Sequence, residues 1–353
     1  MTQKVLFNAD DGTHGYELWV TDGTAAGTSL VDINPVAGDS SPGDITALGN
    51  GEALFDANDG THGFELWVTD GTSAGTSLVT DINPGSGGSY PYAISALGNG
   101  KALFSANDGT HGHELWATDG TAAGTSLVKD INPNGDSGPN QITALGNGEA
   151  LFSADDGTHG RELWVTDGTA AGTALVKDIN SSGSSDPGQF TALGNGEALF
   201  SALDGTHYAL WVTDGTTAGT SMVYSSSGTW RNEITALGNG KALFSTNSTY
   251  GIELFVTDGT AAGTSLVKDI NPSGPYSTGN SYPGDITVIG NGKAVFEASN
   301  GTWARAVGDG WHRGRHLAGQ GHQSGWVQFL PWGHYRHWQW QGAVLCQRRH
   351  AWI

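Results

Sequence analysis

Residues Ile142 to Asn180 read I-T-A-L-G-N-G-E-A-L-F-S-A-D-D-G-T-H-G-R-E-L-W-V-T-D-G-T-A-A-G-T-A-L-V-K-D-I-N. Close copies of this string run along the chain, and the recurrence decides the fold. The tryptophan of E-L-W marks the period: Trp19, Trp67, Trp116, Trp164 and Trp211, with Phe255 in the same place. Successive marks lie 48, 49, 48, 47 and 44 residues apart. Repeats of about 40 to 50 residues with four strands each are the signature of propeller blades.

Four short strands are expected in every copy. Strand A is I-T-A-L, as at Ile142 to Leu145, and strand B is the segment Lys101 to Ala106. Strand C is Glu65 to Thr69, and strand D is Ser126 to Ile131. Each is rich in β-branched, aromatic or aliphatic residues and is bounded by turn signals. Asn-Gly separates A from B, as at Asn147-Gly148, and predicts a type I′ hairpin turn. D-G-T-H-G joins B to C, and D-G-T-x-A-G-T joins C to D. Short connections make consecutive strands antiparallel, so each copy is a meander. One meander cannot bury its own faces, and stacking against its neighbours can. The expected class is all-β, a β-propeller of four-stranded antiparallel blades. Six blades are expected, or seven if the last repeat were in frame. The late strand A at Ile286 to Ile289 is expected to complete the first sheet, which begins at strand B, Val5 to Ala9.

The propeller is assigned to residues 1–300, and the tail 301–353 is set apart. Residues 303–353 hold 7 Trp, 6 His, 6 Arg and one Asp, whereas residues 1–302 hold 9 Lys and Arg against 34 Asp and Glu. A frameshift explains the change. Read one nucleotide later with permitted codons, Ala304 to Trp311 yields R-E-L-W-A-T-D, and the remainder yields a full repeat unit. The tail is therefore expected to be poorly structured or disordered, with no chemistry shaped into its His, Trp and Arg residues.

With E-L-W-V-T-D-G-T-x-A-G-T quoted, the chain resembles the bacterial ELWxxDGT repeat proteins from residue 5 to about 302. The resemblance implies a large secreted or surface-associated bacterial protein, in which this would be a monomeric domain of a longer array. It supplies no catalytic residues. The fifth copy departs from the pattern at Tyr208-Ala209-Leu210-Trp211, which lacks the glutamate. The sixth loses the D-G-T-H-G loop.

Composition limits the function. The formal charge is −20, which repels nucleic-acid phosphates and anionic membrane surfaces. No apolar run is long enough to span a bilayer, and the N-terminus is not a signal peptide. The single cysteine, Cys346, cannot form an intrachain disulfide. Arg161 and Arg231 alone do not make the arginine cluster of a sialidase-like site. No nucleophile elbow, phosphate loop or zinc signature is present, so no enzyme is expected.

The D-G-T-H-G loops place Asp11, Asp59, Asp108 and Asp156 at equivalent positions. Turn chemistry is the first reading of these residues, and a calcium ion per blade, with Glu65 and its equivalents, is the alternative. Glu17, Glu65, Glu114 and Glu162 read as structural carboxylates that accept bonds from loops. The repeated tryptophan reads as packing between blades. Variation concentrates on the B–C and D–A connections. The residue before Glu changes through Tyr16, Phe64, His113 and Arg161, and the linkers carry Tyr90, Tyr92, Trp230, Tyr276 and Tyr282. These five aromatics are the candidate ligand-binding residues, with a glycan or another surface protein as partner. The expected function is a non-enzymatic binding or adhesion scaffold. A ligand-free spacer and a calcium-stabilised domain are the alternatives.

Overall fold

The computed structural model describes residues 4–35, 38–98, 100–225, 233–272 and 279–300. It also describes the backbone of four short strands at Trp303–Arg305, Trp311–Arg313, Trp338–Trp340 and Ala343–Leu345. Trp230, Tyr276 and the rest of the 301–353 segment lie outside the described residues.

The architecture is all-β and of propeller type, built from successive antiparallel meanders. Strands β1 (Val5–Asp10), β2 (Tyr16–Thr21) and β3 (Ser29–Val31) form a three-stranded sheet. Five four-stranded sheets follow, each in sequence order. The second holds β4 (Gly43–Ala47), β5 (Ala53–Asn58), β6 (Phe64–Thr69) and β7 (Ser77–Thr80). The third holds β8 (Tyr92–Ala96), β9 (Ala102–Asn107), β10 (His113–Thr118) and β11 (Ser126–Lys129). The fourth holds β12 (Asn140–Ala144), β13 (Ala150–Asp155), β14 (Arg161–Thr166) and β15 (Ala174–Lys177). The fifth holds β16 (Gly188–Ala192), β17 (Ala198–Leu203), β18 (Tyr208–Thr213) and β19 (Ser221–Ser225). The sixth holds β20 (Ile234–Ala236), β21 (Ala242–Ser248), β22 (Gly251–Thr257) and β23 (Ser265–Lys268). A hairpin of β24 (Gly284–Gly290) and β25 (Lys293–Glu297) comes next. The late strand A therefore pairs with the strand B that follows it. It does not complete the first sheet as expected, because Lys293–Glu297 repeats the B-strand pattern and lies one tight turn away.

The chain divides into two compact units, Met1–Gly188 with Gly215–Thr217, and Gln189–Asp214 with Ala218–Ile353. In the first unit, sheets stack face to face. Leu103, Leu115 and Val128 of the third sheet meet Ile142, Phe152 and Trp164 of the fourth in one core cluster. Leu54, Leu66 and Val79 of the second meet Ile94 and Phe104 of the third. Side chains alternate along a strand, so the leucine of A-L-F faces the next sheet and the phenylalanine the preceding one. Both faces are covered, which is why the strands read as apolar throughout. Each described C-strand tryptophan packs on its own sheet's phenylalanine, as in Phe152–Trp164 at 6.3 Å, and Trp116 and Trp164 also join the core shared with the preceding sheet. In the second unit, Leu199, Leu210 and Val223 pack in the same way on Ile234, Phe244 and Phe255. Leu243 and Leu254 then pack on Ile286 and Phe296.

Within each unit, neighbouring sheets meet along their A strands. Thr46 Oγ1 donates to Ile94 O at 2.9 Å, and Thr191 Oγ1 donates to Ile234 O at 3.0 Å. Each described A–B pair from the second to the fourth sheet begins with a register shift, as between Gly43↔Asp56 and Thr46↔Leu54. The bulge puts Asp44, Ala93 and Gln141 at φ values of 47°, 55° and 54°.

The A–B turns depart from the type I′ expectation. Leu48 N–H donates to Glu52 O at 2.9 Å across a three-residue loop. Gly49 and Gly51 take φ of 83° and 98° there, while Asn50 stays outside the left-handed region. Asn50 Oδ1 accepts from Glu52 N–H at 2.9 Å, so the side chain completes the turn. Among the described A–B turns, only that of β24–β25 has the two-residue form. Gly290 pairs with Lys293 there, and Asn291 and Gly292 have φ of 54° and 68°.

Candidate functional site

The variable face is assembled on a buried glutamate. Glu65 lies at the start of β6, fully buried, and its carboxylate accepts four bonds. Ile82 N–H and Asn83 N–H donate at 3.1 and 3.3 Å, Ser89 N–H at 2.8 Å and Ser89 Oγ at 2.6 Å. The same Ser–Glu latch joins Ser40 to Glu17, Ser137 to Glu114 and Ser185 to Glu162 at 2.6 Å, and Ser281 to Glu253 at 2.7 Å. Burial pushes the Glu65, Glu114, Glu162 and Glu253 carboxyls up, while the bonds from the loop pull them down in part. These glutamates hold the long D–A loop against strand C.

The latch fixes the residue that follows its serine. In every latched sheet this residue takes a left-handed φ of 45–52° immediately before a proline: Ser41, Tyr90, Gly138, Asp186 and Tyr282. Its N–H donates to the carbonyl of the residue before the glutamate. Ser41 bonds Tyr16 at 2.9 Å, Tyr90 bonds Phe64 at 3.0 Å and Gly138 bonds His113 at 2.9 Å. Asp186 bonds Arg161 at 3.2 Å, and Tyr282 bonds Ile252 at 3.3 Å. The two most variable positions of the repeat are thus hydrogen-bonded neighbours on an invariant frame.

Each pair presents different chemistry. Tyr90 stacks on Phe64 with ring centroids 5.9 Å apart, and it is 56% exposed. Tyr92, two residues on, packs on His113 at 5.3 Å. A Cβ on Gly138 would lie 3.5 Å from the Tyr92 hydroxyl and 2.9 Å from Arg161 Nη2, so both groups approach that glycine. Arg161 Nη1 donates to Gly138 O at 2.8 Å and to Ser153 O at 3.2 Å, and Nη2 donates to Ser137 O at 3.4 Å. Beside it is an open cavity of about 160 Å³ lined by Asn140, Gln141, Ser153, Arg161, Asp186 and Pro187. A second cavity of about 240 Å³ lies on the equivalent loops of the first sheet, next to His14 and Asp39. Tyr282 is exposed in the second unit, with its hydroxyl accepting from Asn280 Nδ2 at 3.0 Å. Of the five candidate aromatics, Tyr90 and Tyr92 are therefore brought together with Phe64 and His113. Trp230 and Tyr276 lie outside the described residues.

The D-G-T-H-G aspartates are engaged within their own turns. Asp59 Oδ1 accepts from Thr61 and His62 N–H at 2.8 and 2.9 Å, and Oδ2 meets His62 Nδ1 at 2.7 Å. Asp108 and Asp156 repeat the arrangement with His111 and His159. Asp11 does so with His14, whose hydrogen bond draws the Asp11 carboxyl down to about 2. In return Asp11 raises the His14 imidazole. Among the described residues no group of three or more His, Cys, Asp or Glu is arranged to hold a metal ion. No described helix is long and apolar enough to cross a membrane.

Asp56 is a residue that motif reading passed over. Its position in strand B is serine in four other copies, Ser105, Ser153, Ser201 and Ser245. Aligning the copies against one another singles it out, together with Asn8 and Glu297 at the same position. Burial pushes its carboxyl from 3.8 up to about 6, and the charge of Asp44 adds to the shift. A value raised in the folded state means that the protonated form favours folding. That contribution is complete below about pH 4 and is lost as pH rises through about 6. Asp56→Asn is expected to match the parent protein at pH 4 and to exceed it by up to about 2 kcal/mol at pH 8. Denaturant unfolding at the two pH values measures this. An equal difference at both would show that Asp56 is not titrating between them.

No family model matches the chain, and no curated protein does. Solved structures with similar folds include TolB from Acinetobacter baumannii, at 13% identity and a TM-score of 0.41 over 74% of this chain. The β-propeller domain of the Trilobed protease from Pyrococcus furiosus shows 14% identity and a TM-score of 0.41 over 76% of this chain and 82% of its own. Prolyl oligopeptidase B from Galerina marginata shows 9% identity and a TM-score of 0.49 over 85% of this chain. The chain spans 61% of the TolB length and 45% of that peptidase.

Proposed function

We propose that this chain is a non-enzymatic binding scaffold from an extracellular or cell-surface ELWxxDGT repeat protein. Its ligand face is formed by the B–C and D–A loops, and carbohydrate is the class of ligand that this face suits. The observation that carries the reading is the latched pair. Residues free to vary are held side by side on a rigid frame, and one pair is an aromatic stack in which Tyr90 is exposed over a half-buried Phe64. Aromatic faces pack on the apolar faces of sugar rings, and the amides, Arg161 and Asp186 beside the neighbouring cavity suit hydroxyl groups.

The repeat itself supplies substitutions that the frame accepts. Ser41 occupies the place of Tyr90 in the first sheet, and Asn140 that of Tyr92 in the fourth. Tyr90→Ser combined with Tyr92→Asn is therefore expected to fold normally. On an array of neutral and acidic oligosaccharides with calcium present, the parent protein is expected to bind a restricted set. The double variant should lose at least about fivefold in affinity, since two aromatic contacts contribute about 0.5–1.5 kcal/mol each. Unchanged binding would remove this face from consideration. A blank array with folded protein would favour the spacer reading, and a calcium-dependent rise in Tm would favour the calcium-stabilised one.

A further inference from the structure

The A–B turns fall into two chemical classes that the glycine-asparagine-glycine motif conceals. The residue after G-N-G is glutamate in some copies and lysine in others: Glu52, Glu149 and Glu197, but Lys101, Lys241 and Lys293. Asn99, before Lys101, lies outside the described residues. Where it is glutamate, the asparagine side chain is held at both ends. Asn50 Nδ2 donates to Glu52 Oε2 at 2.8 Å, while Asn50 Oδ1 accepts from Glu52 N–H at 2.9 Å. Asn147 makes the same pair of bonds with Glu149 at 2.9 and 3.0 Å. Asn195 makes them with Glu197 at 2.7 and 3.1 Å. Asn239 and Asn291 have lysine at that position and make neither bond. The Asn239 amide rests against Gly292 without a hydrogen bond. All five asparagines are exposed, so access to water does not separate the two classes.

We infer that Asn239-Gly240 and Asn291-Gly292 are sites of spontaneous covalent modification, and that the glutamate clamp protects Asn50, Asn147 and Asn195 from the same reaction. An asparagine followed by glycine loses its amide when the glycine nitrogen attacks the side-chain carbonyl. At Asn239 the Gly240 N bonds to Cγ, the Cγ–Nδ2 bond breaks, and ammonia leaves as the Gly240 amide proton is given up. Water then opens the five-membered imide at either carbonyl, giving aspartate or isoaspartate. No oxidant or reductant enters. The attack requires Cγ to swing onto the next residue's nitrogen. A clamp on both Oδ1 and Nδ2 opposes that swing, because both bonds must be given up first. Glycine is the residue that leaves its own nitrogen least shielded, so the sequence predisposes every turn and the clamp decides which react.

The effect falls on the hairpin. Aspartate adds a negative charge to a chain already at −20, and isoaspartate inserts an extra backbone carbon into a turn closed by only a few residues. The β24–β25 hairpin, with its two-residue turn, has the least room for it.

The test is incubation of the full chain at pH 8 in isotopically heavy water oxygen, followed by peptide mass mapping over time. Asn239 and Asn291 are expected to convert at least about tenfold faster than Asn50, Asn147 and Asn195, equivalent to about 1.4 kcal/mol in the barrier. Glu52→Lys should bring Asn50 up to the rate of Asn239, and Lys241→Glu should slow Asn239. Both changes are on exposed turns and use residues that the repeat already carries there. In strong denaturant the five rates should converge. Equal rates in the folded protein, or no response of Asn50 to Glu52→Lys, would overturn the inference.

Discussion

Glu65→Ala is expected to destabilise the protein by at least about 3 kcal/mol. The carboxylate is fully buried and takes four donors from a single loop, three of them backbone N–H groups. Alanine removes the acceptor and leaves those donors dry. Each buried unsatisfied group costs about 1–3 kcal/mol, and a loop that rearranges to reach water recovers part of this. Such a rearrangement would release Tyr90 from Phe64, so exposure of the loop and loss of the aromatic stack should come together. Glu65→Gln should fall between, since one amide oxygen still accepts while the amide NH₂ meets donors. Denaturant unfolding gives the energies, and limited proteolysis between residues 81 and 91 reports the loop. A Glu65→Ala protein as stable as its parent would mean that the loop holds itself. The fifth sheet is a natural comparison. It has Ala209 in place of the glutamate, and the linker after β19 contains no Ser-x-Pro segment.

Gly63→Ala should cost about 3 kcal/mol, and Gly49→Ala only about 1–2 kcal/mol, although both glycines are left-handed. Gly63 has φ of 75° and Gly49 has φ of 83°, so the backbone penalty is similar. The surroundings differ. A Cβ on Gly63 would lie 2.6 Å from Gly88 N and 2.7 Å from Gly88 Cα, both main-chain atoms that cannot rotate away. A Cβ on Gly49 meets nothing within 4 Å. The difference between the two variants isolates the close approach of the B–C loop to the D–A loop. Equal losses would show that conformation alone sets the cost and that the loops have slack.

Much of the fold was legible because each repeat states its strands in the same order six times. Short, nearly continuous apolar runs such as A-L-F-S-A between turn signals fix the B strands, and the tryptophan spacing fixes the unit. The turn geometry was less legible. Asn-Gly is read as a two-residue I′ turn, yet at Asn50 the side chain bonds the backbone of Glu52 and a three-residue loop results. That choice depends on which residues close the ladder, here Leu48 and Glu52, and the dipeptide does not carry this information. The partner of β24 was misjudged for a related reason. Lys4 to Phe7 and Lys293 to Phe296 have the same B-strand character, and proximity along the chain favours the second. For the candidate site, both variable positions stood out among the copies. Their pairing did not, because 26 residues separate Phe64 from Tyr90 and the link runs through a third residue, Glu65. One signal was available: the glutamate and the Ser-x-Pro segment disappear together in the fifth copy.

The Ser–Glu latch separates the cost of folding from the choice of surface. The bonds that secure each latched loop come from the same serine and glutamate, and from backbone groups that any residue supplies. What faces outward beside them is free to be an aromatic pair, an arginine with an acid, or a histidine with a glycine. A gene that duplicates such a unit gains a new blank position for recognition without having to re-solve the problem of stability. Divergence among copies then accumulates where it is harmless, which is how a chain of near-identical units comes to display a row of unlike two-letter words.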